Sequence, residues 1–161
     1  MVKCDDLNAP YKGNTEEFFM SAIIRFAEIN EYPEILIHYE TCSYHGGLQD
    51  ADKIVIAVDG QIIGAVRICF EHGIKVLRGM QIKPAWQKKG IGSSMLKFLA
   101  EHVDMDGCYC LPFKHLKLFY GATGFEEIPT HDAPEFLAER LEKYLSSGHS
   151  EMLVMAINKN K

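Results

Sequence analysis

The chain of 161 residues contains no apolar run of the roughly 18 or more residues that a membrane-spanning helix requires. Its first residues, Met1-Val2-Lys3-Cys4-Asp5-Asp6, lack the apolar stretch of a secretory signal. Its five cysteines are odd in number and irregular in spacing, which argues against a disulfide framework and suits a reducing compartment. The expectation is a soluble, cytoplasmic protein. There is no long block of Lys and Arg, and the formal charge is −5. Sequence-independent nucleic-acid binding rests on neutralising phosphates with cations, so it is not expected here. Mild acidity would instead tolerate a cationic partner such as an amine. Repeats, low-complexity tracts and linkers are missing too. With 47% of its residues apolar, the chain suits one hydrophobic core and a single domain over residues 1–161.

What is present is a sequence of clear periodicities. Asn14-Thr15-Glu16-Glu17 offers a helix cap, and Phe18, Ala22, Ile23, Phe26 and Ile29 follow at helical spacing, which predicts a first helix. Pro33 to Tyr44 reads as a second helix opened by proline, although Ile35-Leu36-Ile37 would also suit a strand. The period then changes. Ile54 to Val58 and Ile62 to Phe70 flank Asp59-Gly60, a hairpin signal, and Glu71-His72-Gly73 turns the chain again into Lys75 to Ile82 before Pro84 stops the pairing. Ile91, Met95, Leu96, Leu99 and Val103 form a helical stripe that ends before Gly107. A short strand (108–111), a helix (114–121), a strand (125–128), a helix opened by Asp132-Ala133-Pro134-Glu135 and a last strand (151–157) complete an α+β order around one mixed, mainly antiparallel central sheet flanked by helices.

The most informative segment runs from Met80 to Gly92: a strand end, a bend at Pro84, and a glycine-containing turn that opens the amphipathic helix. The first N–H groups of a helix have no partner within it and carry the positive end of the macrodipole, so such a turn can cradle a pyrophosphate. Lys88 and Lys89 add positive charge. Gly90 and Gly92 alone are equally compatible with a plain turn before a helix. The pattern Gly-x-x-x-x-Gly-Lys-[Ser/Thr] is absent, and Gly-x-Gly-x-x-Gly fails at Met95, so neither an NTPase nor a dinucleotide-binding dehydrogenase fits.

Gln87-Lys88-Lys89-Gly90-Ile91-Gly92 resembles the signature [Arg/Gln]-x-x-Gly-x-[Gly/Ala] of the GNAT superfamily of acyl-CoA-dependent N-acetyltransferases, set between a strand and a helix as in that family. Leu118-Phe119-Tyr120-Gly121-Ala122-Thr123-Gly124-Phe125-Glu126 resembles its second landmark, an aromatic pair ending in tyrosine and followed by Gly-Phe and a strand. The resemblance covers roughly residues 54 to 128. It implies direct transfer of an acetyl group from acetyl-CoA, as cosubstrate and without a metal, to a primary amine of a small molecule or protein. It implies further that Met80, Gln81 and Ile82 pair through their backbone with the pantetheine arm, and that Gln87, Lys88, Lys89, Gly90, Ile91, Gly92 and Ser93 hold the pyrophosphate. Tyr120 falls where the family often places the proton donor to the departing thiolate; the other reading is a core tyrosine sharing a helical face with Leu116 and Phe119.

Three departures stand beside the resemblance. Phe113 occupies a position where many members carry asparagine, which raises the alternative of a noncatalytic acyl-CoA-binding regulatory module. The usual first strand is hard to find in the polar segment from Met1 to Lys12, and a helix from about Pro134 to Leu145 is inserted before the last strand, where it would shape the acceptor site or a partner surface. Glu71, His72 and Glu40 are candidate proton acceptors, with none preferred. Cys108-Tyr109-Cys110 beside His102 and His115 lacks the second ligand pair of common zinc sites and reads as two cysteines on one face of a strand. The remaining histidines read as ordinary surface or satisfied residues, and Trp86 as an anchor for the bend. Whether the protein is a monomer or a homodimer stays open in the sequence.

Overall fold

The computed structural model describes residues 22–149 and 151–160. Seven strands form one sheet in the order β1-β2-β3-β4-β5-β7-β6. They are β1 (Ile23–Phe26), β2 (Lys53–Asp59), β3 (Gln61–Glu71), β4 (Ile74–Ile82), β5 (Tyr109–Cys110), β6 (Glu126–Glu127) and β7 (Met155–Ala156). Among the described residues four α-helices accompany them: α1 (Tyr32–Thr41), α2 (Ile91–His102), α3 (Lys117–Gly121) and α4 (Glu135–Ser146). Every pairing is antiparallel except β4 with β5, which is parallel. The expected mixed, mainly antiparallel sheet flanked by helices is present. No helix among the described residues is long and apolar enough to cross a membrane.

The middle strands read as nearly continuous apolar runs because both faces of the sheet are covered. Ile54, Ile56, Ile62 and Ala65 point to one face and pack with Ile35 and Tyr39 of α1. Val55, Ala57, Ile63, Val66 and Ile68 point to the other and pack with Met95, Leu96 and Leu99 of α2 and Phe119 of α3. Both predicted turns form. Gly60 takes φ +69° between β2 and β3, and His72 and Gly73 take φ +51° and +76° between β3 and β4. Positive φ at two successive turn residues matches the right-handed twist of the strands it joins.

One expectation is overturned. Where the spacing of Ala22, Ile23, Phe26 and Ile29 predicts helix, residues 23–26 form β1, with Ile23 opposite Val58 and Phe26 opposite Val55. The edge of β2 supplies a hydrogen-bonding partner that local periodicity does not reveal, and the β-branched pair Ile23-Ile24 suits it. The first strand, not found between Met1 and Lys12, is therefore present as β1. The proposed cap at Asn14 to Glu17 and Phe18 lie outside the described residues. Pro33 to Tyr44 resolves in favour of helix, α1.

Candidate active site

The site is laid out along β4. Opposite β3, Ala65 pairs with Gln81 and Arg67 with Arg78, so Gly79 and Met80 together face Val66. The extra residue makes a bulge, and Gly79 meets its demand with φ +69°. A Cβ added there would lie 2.7 Å from Tyr39 Oη and 3.2 Å from Arg67 Nε, so the bulge also needs a residue without a side chain. Beneath it, Arg67 is 2% exposed and pairs with the buried Asp52 at 3.1 Å. The same guanidinium donates to Tyr44 Oη at 3.0 Å and to the carbonyl of Gly47. This buried ionic cluster fixes the backbone on which β4 bends.

On its other edge β4 meets β5 at one pair only among the described residues, Val76 with Tyr109. Beyond it the strands diverge, and β5 turns to β7, with Cys110 opposite Met155. The divergence opens a cavity of about 490 Å³ between residues 76–81 of β4 and residues 110–113, lined also by Leu116, Tyr120, Arg140, Tyr144 and His149. Met80 and Gln81 line it. Ile82, one residue further, is 2% exposed and belongs to the core against α2. The Gln81 carbonyl accepts a hydrogen bond from His38 Nε2 at 2.9 Å. Burial lowers the pKa of His38; the bond to Gln81 works against this, and the charge of Lys83 adds to it.

At the end of β4 the chain passes through a 3-10 turn, Pro84–Trp86, to the start of α2. Gln87 is buried, and its amide donates to the Ile82 carbonyl at 2.9 Å. Its side chain therefore ties the turn to the strand, and what it can offer an anion is its backbone. Lys88 has φ +61° and Gly90 φ +78°, while Lys89 between them does not have positive φ. Such alternation directs successive N–H groups into one concavity, a nest of the kind that can hold an anion, and here it runs into the positive end of a 12-residue helix. Ser94 N–H is bonded to the Gly90 carbonyl, which leaves the N–H groups of Ile91, Gly92 and Ser93 as the first turn without helical acceptors. Gly92 is buried against the core and Ser93 faces outward. Trp86 packs on the core as the expected anchor, with Lys89 Nζ 5.7 Å from its ring centre.

Tyr120 packs in the core and also reaches the cavity wall. It is 6% exposed, its ring sits edge-on to Phe119 at 4.9 Å and to Phe125 at 6.1 Å, and it lines the cavity. Phe113 lines the same cavity and stacks on His115 at 5.7 Å, so an apolar wall stands at the asparagine position of the family. Cys108 and Cys110 are buried thiols; burial pushes Cys108 up to about 12 and Cys110 well above its ordinary value.

Of the three candidate proton acceptors, none lines the cavity. Glu40 is exposed on α1, and His72 packs its ring on Phe136 at 4.6 Å. Glu71 is held by two arginines: Arg140 grips both carboxylate oxygens at 2.8 and 3.2 Å, and Arg78 donates at 3.1 Å. Burial works to raise the Glu71 pKa, but the hydrogen bond and charge of Arg140, with those of Arg78, outweigh it and hold the carboxyl below its ordinary value. Four lining residues that sequence reasoning passed over are Arg78, Arg140, Tyr144 and His149. Arg140 and Tyr144 are four apart on α4 and so share a face, a signal present in the sequence but without direction until the helix is docked.

Residues 50–127 match the acetyltransferase (GNAT) domain family. The chain carries a GNAT domain. Solved structures with the same fold include a GNAT-family acetyltransferase from Staphylococcus aureus Mu50, 16% identical, with a TM-score of 0.56 over 70% of this chain and 88% of that one. The ribosomal-protein-S18-alanine N-acetyltransferase of Escherichia coli is 12% identical, with a TM-score of 0.62 over 87% of this chain and 98% of that one. N-acetylglutamate synthase from Neisseria gonorrhoeae, complexed with coenzyme A and N-acetyl-glutamate, is 14% identical, with a TM-score of 0.61 over 87% of this chain and 35% of that one. At these identities the likeness is one of fold. No curated protein is detectably similar in sequence.

Proposed function

We propose that this GNAT domain transfers an acetyl group from acetyl-CoA directly to a primary amine. The observation that carries the reading is the continuity of one strand edge: the anion-binding nest at residues 88–90 and the first turn of α2 lie at the end of β4, and the open edge of β4 leads from there into the cavity lined by Tyr120. The pyrophosphate of the coenzyme would rest on the backbone of Gln87 to Ser93, with Lys88 and Lys89 adding charge. The pantetheine arm would add to the edge of β4 at Met80, Gln81 and Ile82 as an extra strand does, through main-chain groups.

The reacting thioester then lies in the cavity. The amine nitrogen attacks the carbonyl carbon, the C–N bond forms, the C–S bond breaks as the tetrahedral intermediate collapses, and the sulfur leaves as a thiolate. The Tyr120 phenol supplies a proton to that sulfur. The amine gives up a proton on attack. An imidazole nitrogen can accept that proton, and His149 is the imidazole that lines the cavity among the described residues, its ring stacked on Tyr144 at 5.5 Å. We assign the proton-accepting role to His149. Holding both substrates on one rigid sheet supplies much of the acceleration.

Acetyl-CoA consumption across a panel of amines tests the reading: turnover with at least one amine supports it. The apolar wall at Phe113 favours a second reading, a domain that binds acyl-CoA without turnover. Coenzyme binding with no acetylation of any amine would establish that second reading instead.

A further inference from the structure

The protein as a whole is acidic, yet the cavity is not. Among the described residues no Asp or Glu lines it, whereas Arg78 and Arg140 both do. Among the described residues the one carboxylate that touches them, Glu71, is outside the lining and is shared, so the cluster of two guanidinium groups and one carboxylate carries an excess positive charge on its cavity side. Arg140 is also preorganised. Both its terminal nitrogens are fixed on Glu71, and its guanidinium carbon lies 5.6 Å from the ring centre of Phe136, one helical turn earlier on α4. A guanidinium so oriented has further N–H donors in its plane, and a planar fork of donors matches a carboxylate. Both arginines are about a quarter exposed, so their charge is accessible from the cavity while partly screened from bulk water.

Resting on the acetyl-transfer reading, we propose that the acceptor is an amine that also bears a carboxylate, of the amino-acid class, and that Arg140 with Arg78 binds that carboxylate while the amine faces the open edge of β4. The mild acidity of the chain points toward a purely cationic acceptor, but that charge is spread over the outer surface. Recognition is set by the groups that face the ligand, and here those are cations. A polyamine in this cavity would meet two arginines and no counter-charge. The helix α4, inserted before β7, thereby acquires a role: it carries one of the two arginines across to the end of the β3–β4 hairpin.

The test measures acetyl-CoA consumption with the twenty standard L-amino acids, their α-carboxamides and simple aliphatic diamines, using wild-type protein, Arg140→Met and Arg140→Lys. Titration with coenzyme A alone provides the control for folding and for the donor site. The expected result is at least one amino acid used with kcat/KM about tenfold or more above its own carboxamide, since a charge-assisted bond to carboxylate is lost in the amide. Arg140→Met should erase that preference through KM, and Arg140→Lys should restore part of it, because the charge returns without the fork. Preference for carboxamides or diamines, an unchanged preference in Arg140→Met, or coenzyme binding with no amino acid acetylated would each overturn the proposal. Failure of the folded wild-type protein to bind coenzyme A would instead remove the reading on which it rests.

Discussion

The two ends of β4 are built from different materials. At the α2 end, the turn from Gln87 to Ser93 presents main-chain N–H groups ordered by dihedral angles, with φ +61° at Lys88 and +78° at Gly90 and the buried Gln87 amide tying the turn to Ile82. At the other end, Glu71, Arg78 and Arg140 meet through side chains, two of them from the β3–β4 hairpin and one from a helix some sixty residues later. A backbone site needs a local sequence that bends correctly and tolerates variation elsewhere. A side-chain site needs a particular docking of distant elements and can change its specificity by one substitution. In the proposed reaction the first would hold the donor and the second the acceptor.

The comparison can be broken by attacking what supports each end. The largest effect is expected below the bulge. Asp52→Ala leaves the buried Arg67 without its carboxylate, and breaking one side of a buried pair costs about 3–5 kcal/mol. Urea unfolding would show this as a lower midpoint. A loss of under 1 kcal/mol would mean that the cluster beneath Gly79 is not what fixes β4. Next comes Tyr120→Phe. Loss of a positioned proton donor typically costs about 10²-fold or more in turnover, with coenzyme affinity nearly unchanged. Unaltered turnover would return Tyr120 to a packing role alone.

Legibility in the sequence follows the same division. The hairpins at Asp59-Gly60 and His72-Gly73, the stripe of α2 and the glycine turn are all local, and each forms where periodicity and turn chemistry place it. β1 was hidden because Ile23 and Phe26 happen to fall at helical spacing while their strand partner, β2, lies some thirty residues away. The bulge at Gly79 was hidden because one extra residue in a ladder shows only when both strands are paired. Gln87 matches a signature residue, but its side-chain bond to Ile82 comes from the fold of the turn. The arginine pair was the least legible: nothing in the neighbourhood of Arg140 says that it will reach Glu71.

A smaller effect should appear in the pH dependence of stability. His38 is buried and its pKa is lowered from 6.5, so the unfolded chain takes up its proton first as pH falls. The stability contributed by the neutral ring is present above pH 6.5 and is lost as pH drops below it. His38→Gln retains an amide donor for the Gln81 carbonyl without the titration. Thermal melts of the two proteins between pH 7.5 and 5 should therefore converge on the acid side, and parallel curves would contradict the assignment.

The central claim is that the turn opening α2 holds an acyl-CoA through its backbone. Calorimetric titration of acetyl-CoA into the wild-type protein and Gly90→Val tests it most directly, because a β-branched residue resists φ +78° and would spoil the nest without touching the cavity. The account predicts one-to-one binding by the wild type and binding weakened at least tenfold in the variant, with the variant still folded. A folded wild-type protein that takes up no acetyl-CoA, or a variant that binds it as tightly as the wild type, would contradict it.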